Sequence, residues 1–260
     1  MRPIDLIDFL DDLALKSGEA ILPFFRTHLS VIDKPGKGMF DPVTEADRAA
    51  ELVIRRAIAE HFPDHGILGE EFGTERPDAE FVWVIDPIDG TRAFLCGLPV
   101  WGTLIGLKRN NSPVLGVMHQ PYTRERFFGD GARAWLKSPA GERRLATRTQ
   151  TDLADAILMT TTPKLFTGAN AERYERVESR VKLARYGTDC YAYAMVASGH
   201  IDLVIETGLQ PYDIVPLIPV IEGAGGIVTT WDGGSPVDGG DIIAASNRQL
   251  HEKALRLINE

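Results

Sequence analysis

The sequence predicts a mixed α/β protein, and three observations predict it. Across residues 101–135, four short strand-like segments (102–107, 114–119, 125–129 and 132–136) follow one another with brief polar connections. Connections that short belong to an antiparallel meander. From residue 156 onward, strand-like and helix-like segments alternate, the pattern of an α/β layer. The polar stretch 138–151 separates the two patterns, so an N-terminal α+β half (1–146) and a C-terminal α/β half (147–260) are expected.

Each element has its own warrant. Leu6, Phe9, Leu10, Leu13, Ala14, Ala20, Ile21 and Phe24 recur at helical spacing, so a first amphipathic helix is expected over 4–27. Residues 33–38 follow as a Gly/Pro/Lys loop, either a solvated connection or, with the segment to 41, a lid. A second helix starts within 41–47 and runs to about His61; Thr44 and Asp47 fit its capping box. Residues 66–73 place Glu70 and Glu71 after a short apolar strand. The run 81–85 reads as a buried strand that stops at Asp86-Pro87, with Gly90-Thr91 opening a new helix. In the second half, strands are expected at 156–160, 181–186, 201–206, 227–230 and 242–245. Helices are expected at 171–180, 188–198, 213–222 and 248–258. Pro216 fits the first turn of the 213–222 helix, whereas Pro219 should kink it.

Composition narrows the function. The chain has 260 residues, 44% hydrophobic and 25% charged, ordinary for a soluble globular protein. Its net charge of −9, from 37 acids against 28 Lys and Arg, argues against nucleic-acid binding. Cys96 and Cys190 are too few for a disulfide scaffold and match no zinc motif; both are expected to be plain buried thiols. No stretch approaches a membrane span, and the acids at 5, 11 and 12 break any signal peptide. A cytoplasmic protein is expected, with no membrane partner. The six histidines form no metal-ligand pair, so any metal is expected on oxygen ligands.

Asp86 and Asp89 stand three residues apart between a strand end and a helix start. Carboxylate oxygens suit Mg²⁺, and the free N–H groups of a helix start suit phosphate. Pro-x-Asp-Gly is equally a good turn and cap signal. Glu70, some fifteen residues upstream, is a plausible further ligand. Asp47 is explained by its cap alone or by a carboxylate aimed into a metal cluster.

Three acidic motifs stand in order: Gly69-Glu70-Glu71, Asp86-Pro87-Ile88-Asp89-Gly90-Thr91, and Tyr212-Asp213 followed by Gly223-Ala224-Gly225-Gly226. Together they resemble the signatures of the inositol monophosphatase family, over nearly the whole chain. The resemblance implies a layered αβαβα sandwich, a homodimer, and a Mg²⁺-dependent, often Li⁺-sensitive phosphomonoesterase with two or three ions per site. It implies Glu70, Asp86, the Ile88 carbonyl, Asp89 and Asp213 as metal ligands. It further implies Asp47, Thr91 and Glu70 at the attacking water, and Gly90 and Thr91 at the phosphate.

The stretches Gly187-Thr188-Asp189-Cys190 and Glu206-Thr207-Gly208-Leu209-Gln210-Pro211-Tyr212-Asp213 look like the histidinol-phosphatase branch of that family. Histidinol phosphate carries an ammonium group and an imidazole, which Asp189 and Glu206 can pair with. Arg185 can reach the same pocket or serve the surface. Inositol 1-phosphate or a broad range of sugar phosphates is the rival substrate. A metal-binding regulatory protein without catalysis is the rival from another class.

Overall fold

The computed structural model describes residues 5–27, 32–33 and 42–260. Residues 34–41, which carry most of the expected lid, lie outside the described residues. Helix α1 (Leu6–Ile21) starts at Asp5, whose side chain accepts the Ile7 N–H at 2.9 Å. It ends earlier than the apolar spacing suggests. Pro23 cannot continue the ladder, and the chain tightens into a 3-10 turn at Leu22–Phe24. A two-stranded pair, β1 (Ile32–Asp33) and β2 (Pro42–Val43), precedes α2 (Glu45–His61).

The first half then builds β3 (Gly66–Gly69), β4 (Gly73–Glu75), β5 (Phe81–Asp89), α3 (Thr91–Leu95) and the meander β6 (Gly102–Arg109), β7 (Ser112–Gln120), β8 (Glu125–Gly129) and β9 (Ala134–Ser138). A fifth meander strand, β10 (Gly141–Arg144), extends into the stretch expected to be a boundary. All four of its residues are exposed, so no apolar alternation marks it. These strands form one sheet in the order β10-β9-β8-β7-β6-β5-β3-β4.

The second half contributes β11 (Ile157–Thr160), α4 (Ala169–Glu178), β12 (Leu183–Tyr186), α5 (Asp189–Ala197), β13 (Leu203–Leu209), α6 (Pro211–Ile214), α7 (Ile218–Gly223), β14 (Ile227–Thr230), β15 (Gly240–Ala245) and α8 (Arg248–Asn259). Its sheet runs β12-β11-β13-β15-β14. The kinked helix expected over 213–222 is two short helices. Pro219 sits in the first turn of α7, where its missing N–H costs nothing, so it starts a helix instead of bending one.

The layers follow from the packing. Helices α1 and α2 cover one face of the eight-stranded sheet, around Leu10, Ile54, Trp83 and Phe128. Helices α5 and α7 fill the space between the sheets, with Val196, Val220 and Ile221 against Leu104, Phe127 and Val204. Helices α4 and α8 cover the outer face of the second sheet through Tyr174, Val177, Leu250 and Ala254. The result is an αβαβα sandwich.

The middle layer lies unusually close to the first sheet. Gly106, Gly116 and Gly129 are cross-strand partners on β6, β7 and β8, so they form a row with no side chains. The backbone of the break between α6 and α7, at Pro216, and of the first turn of α7, at Pro219, rests on that row. A Cβ on Gly116 would lie 1.8 Å from the Pro216 carbonyl oxygen, and one on Gly129 would lie 2.2 Å from that of Pro219. Backbone on both sides leaves no flexible group to yield. Gly116→Ala is therefore expected to destabilise the protein by about 3 kcal/mol or more, read by denaturant unfolding. A loss below about 0.5 kcal/mol would show that the row is not a packing constraint.

A candidate metal and phosphate site between the two sheets

Strand β5 does not stop at Asp86-Pro87. It continues to Asp89, and its pairing with β6 shifts between Asp86↔Leu104 and Asp89↔Gly102. Three steps on β5 match two on β6, which is a one-residue bulge. The physical reason is Pro87, which has no N–H for the ladder. Its free carbonyl instead accepts the Thr103 hydroxyl at 2.8 Å. In a regular strand, residues three apart face opposite sides. The bulge turns Asp86 and Asp89 toward the same cavity.

That cavity, about 200 Å³, is lined by Glu70, Asp86, Asp89, Thr91, Asp189, Glu206 and Asp213, with Ile88, Gly90, Arg92 and Thr161 also on its wall. A larger groove of about 770 Å³ beside α1 and β9 sets its acids, Asp5, Asp8, Asp130 and Glu142, among the cations Arg133, Lys137 and Arg144, so it gathers no charge of one sign. One oxygen from each of Asp86, Asp89 and Asp213 falls within 4.8 Å of the others. Asp213 comes from the opposite half of the chain. It is the third residue of α6, where its carboxylate accepts the Gln210 N–H at 2.7 Å. Asp47 holds the same position in α2: its Oδ2 accepts the Thr44 N–H at 2.8 Å and the Thr44 hydroxyl at 2.6 Å. Each acid therefore caps a helix as well as standing in or near the cluster.

Burial and mutual repulsion raise the Asp86 carboxyl well above its ordinary range; burial comes first, then the charges of Glu70, Asp89 and Asp213. Asp89 is raised by burial and by Asp189 and Asp213, against the Cys190 N–H, which donates to it at 2.6 Å. Asp47 is pushed up to about 7, chiefly by burial, with Thr44's donors opposing and Glu71 and Glu70 adding. Acid groups crowded this way need cations. All-oxygen donors and the absence of histidine from the cluster suit a hard divalent ion such as Mg²⁺.

Glu70 stands in the turn after β3, its N–H donating to the Ile85 carbonyl at 3.1 Å. The turn is organised by Glu51, a fully buried acid of α2 that the sequence reading missed. Glu51 accepts the Glu71 N–H at 2.7 Å, the Phe72 N–H at 3.2 Å and the Arg55 Nε–H at 2.7 Å. Arg55 continues to Glu75 at 2.7 Å and to the Gly73 carbonyl. In sequence the Glu51/Arg55 spacing is only an i,i+4 ion pair. A Cβ on Gly69 would lie 2.0 Å from Glu51 Oε1, a closeness that spacing does not reveal.

Gly90 caps α3 in the left-handed region (φ 82°), packed against Asp189 so that a Cβ would meet its carboxyl at 3.1 Å. The Thr91 hydroxyl donates to the Ile88 carbonyl at 3.1 Å. Asp189 is the first residue of α5 and holds a left-handed φ of 42°, a strained conformation for a residue with a side chain. Thr161 ties it to Glu206: its N–H donates to Glu206 at 2.6 Å and its hydroxyl to Asp189 at 3.3 Å. Burial pushes Glu206 up to about 8, with the Thr161 donors opposing and Asp189 adding. Asp189 is raised by burial, against its Thr161 bond and the Arg92 charge.

Arg185 is exposed on β12, the edge strand of its sheet, and is absent from the cavity wall. Asp47 lies beneath the wall instead of on it. Cys190 is buried, and burial followed by the Asp89 charge raises its thiol well above the usual range, so no thiolate nucleophile forms there. Cys96 is exposed, against expectation. The whole of the short helix α3 separates it from Gly90, and its side chain takes no place in the cavity.

A model of the inositol monophosphatase family matches residues 5–260. The chain belongs to the inositol monophosphatase family. Members of this family are metal-dependent phosphatases, phosphoric monoester hydrolases, and the acid cluster is compatible with that chemistry. Bifunctional phosphatase IMPL2 of Arabidopsis thaliana, a chloroplastic protein, is 43% identical over 94% of this chain and 72% of its own length. A histidinol-phosphatase of Chlorobaculum parvum is 34% identical over 91% and 90%. The solved structure of an inositol monophosphatase from Zymomonas mobilis superposes with a TM-score of 0.88 at 38% identity, covering 98% of each chain. Among the described residues no helix is long and apolar enough to cross a membrane.

The repulsion makes a testable claim about the metal-free protein. Asp86 binds its proton more tightly folded than unfolded. The metal-free fold therefore loses stability as pH rises above the ordinary carboxyl value of 3.8. Asp86→Asn removes one charge and keeps an acceptor for the Ile88 N–H, which Asp86 holds at 3.0 Å. In EDTA at pH 7 the variant is expected to melt above the parent, while Mg²⁺ raises the parent's melting point more than the variant's. A lower melting point for the variant in EDTA would show that the cluster is not under repulsion.

Proposed function

We propose that the protein hydrolyses histidinol phosphate to histidinol and phosphate, a step of histidine biosynthesis, as a Mg²⁺-dependent phosphomonoesterase. One observation carries the choice of substrate: Asp189 and Glu206 stand on the wall of the metal cavity, joined through Thr161. A neutral polyol offers no positive group for two carboxyls, whereas the ammonium and imidazole of histidinol do. The likeness to histidinol-phosphatases supports the same reading.

In this reading Glu70, Asp86, Asp89, Asp213 and the Ile88 carbonyl hold two or three Mg²⁺ ions. Mg²⁺ held by these residues would supply charge neutralisation for the phosphate, a more acidic water and stabilisation of the leaving alkoxide. The Gly90 and Thr91 N–H groups bind phosphate oxygens. Thr91, its own proton committed to the Ile88 carbonyl, presents lone pairs that orient the attacking water. Glu70 receives the water's proton, and Asp47 supports Glu70 from beneath through its charge. Asp189 and Glu206 hold the cationic end of the substrate, and Arg185 takes no part from its exposed position. A homodimer in a reducing cytoplasm completes the reading; the free, exposed Cys96 suits such a compartment.

Hydrolysis of inositol 1-phosphate is the second reading, favoured by the structural likeness to an inositol monophosphatase. Phosphate release from the two substrates side by side, with Mg²⁺ and with EDTA, separates them. A higher kcat/KM for histidinol phosphate is expected, with no release in EDTA. Equal or reversed preference would overturn the histidinol reading, and no release from either with Mg²⁺ bound would favour a regulatory protein without catalysis. Asp189→Ala is expected to raise KM for histidinol phosphate about tenfold or more and to leave inositol 1-phosphate little changed. Glu206 is a neutral acid below about pH 8 and an anion above it. KM for histidinol phosphate is therefore expected to fall as pH rises toward 8, a trend that Glu206→Gln should remove.

A further inference from the structure

Asp189 meets the cavity wall from a strained backbone. Its φ of 42° lies in the left-handed region, and it opens α5 with no side-chain cap from Thr188. A residue with a Cβ keeps such a conformation where its surroundings over-determine it. Gly90 makes the room, since a Cβ there would press on the Asp189 carboxyl. Room alone does not hold the chain.

Two carboxylates hold the first turn of α5. Asp89, a member of the acid cluster, accepts the Cys190 N–H. Glu125 stands outside that cluster: its Oε2 accepts the Tyr191 hydroxyl at 2.6 Å and the Thr123 hydroxyl at 2.7 Å. Glu125 opens β8, and Thr123 lies in the turn before it. That turn is set by the buried Gln120 at the end of β7. Its Oε1 accepts the Tyr122 and Thr123 N–H groups at 2.7 and 3.2 Å, and its amide donates to the Trp101 carbonyl at 2.9 Å. The Tyr191 ring is fixed as well, edge-on to Phe127 with centroids 6.0 Å apart. The anchor thus belongs to the first sheet, and the helix start it steadies belongs to the second half. Neither Tyr191 nor Glu125 lines the cavity, so neither meets a substrate there.

We propose that Tyr191 and Glu125 are positioning residues for substrate selection: their bond ties the first turn of α5 to the first sheet and keeps Asp189 in the left-handed backbone from which it meets the substrate's cationic end. The cationic end rests on the histidinol phosphate reading; the effect on the Asp189 backbone does not. A hydroxyl bonded to a carboxylate is among the stronger hydrogen bonds, which suits it to oppose backbone strain. Without it the turn relaxes and the carboxyl shifts. The phosphate contacts of Gly90 and Thr91 stay, so binding of the cation weakens while the chemical step does not.

Kinetics of the Mg²⁺-saturated enzyme on histidinol phosphate and inositol 1-phosphate test the selection. Tyr191→Phe keeps the ring and loses only the hydroxyl. It should raise KM for histidinol phosphate about fivefold to tenfold, with kcat within about twofold and inositol 1-phosphate unaffected. Glu125→Ala should do the same, whereas Glu125→Gln keeps an acceptor and should retain the parent KM. A brace that serves folding alone would shift both substrates together, and that result would overturn the proposal. So would an unchanged KM in Tyr191→Phe where Asp189→Ala raises it. In the Asp189→Ala background Tyr191→Phe should add nothing, because no carboxyl is left to place; a further rise there would overturn the route through Asp189. Should Asp189→Ala itself leave KM unchanged, the histidinol reading fails, and crystal structures of the parent and Tyr191→Phe decide the positioning by themselves. A φ at Asp189 that moves to negative values in the variant supports it, and the same left-handed φ in both overturns it.

Discussion

Holding like charges together out of water is the constraint on which this structure turns. Asp86, Asp89 and Asp213 come within 4.8 Å of one another, and Glu70, Asp189 and Glu206 share the same cavity. Left to itself such a group repels, and the carboxyls of Asp86, Asp89, Asp189 and Glu206 are pushed toward their protonated forms. The cluster exists only because packing elsewhere over-determines where each acid stands. The geometry so prepared is compatible with cations held on oxygen donors.

Several devices supply that preparation, and they are ordinary backbone chemistry used in uncommon places. A bulge in β5 turns Asp86 and Asp89 to one side, and Pro87, which cannot pair, sets it there. A second one-residue shift, in β13 between Glu206 and Leu209, lies on the other side of the same cavity. Asp241 holds it by accepting the Thr207 hydroxyl at 2.5 Å and the Gly208 N–H at 3.1 Å. Each sheet is thus irregular where it meets the site, which is where bulges re-aim side chains. Capping does double service too, since Asp47 and Asp213 each satisfy the free N–H at a helix start. The glycine row under Pro216 and Pro219 brings α6, and with it Asp213, close enough to the first sheet to complete the set.

The buried Glu51 and Arg55 pair shows a different kind of support. A buried ion pair adds little net stability, but removing one partner leaves the other charge stranded. Here the pair's value is positional. Glu51 gathers the N–H groups that follow Glu70 and so fixes the turn from which Glu70 enters the cavity.

Much was legible in the chain itself. Periodicity placed both long helices, the meander and most strands of the second half, because one-sided burial imposes its period on the residues. The acids at 70, 86, 89 and 213 stood out because hard cations require oxygen donors and their motifs occur in family order. Other features were decided only by tertiary structure. The exposed β10 has no buried face to leave a pattern. The β5 bulge depends on a register with β6 that no local signal encodes, and the break at Pro216 depends on glycines about ninety to a hundred and ten residues upstream. Nothing local distinguishes Glu51 and Arg55 from an ordinary i,i+4 pair; the 69–75 turn that folds over them does. Local sequence determined which residues could do chemistry, through composition and period. Long-range register and close backbone contact decided which of them meet, because those depend on the relative placement of distant segments.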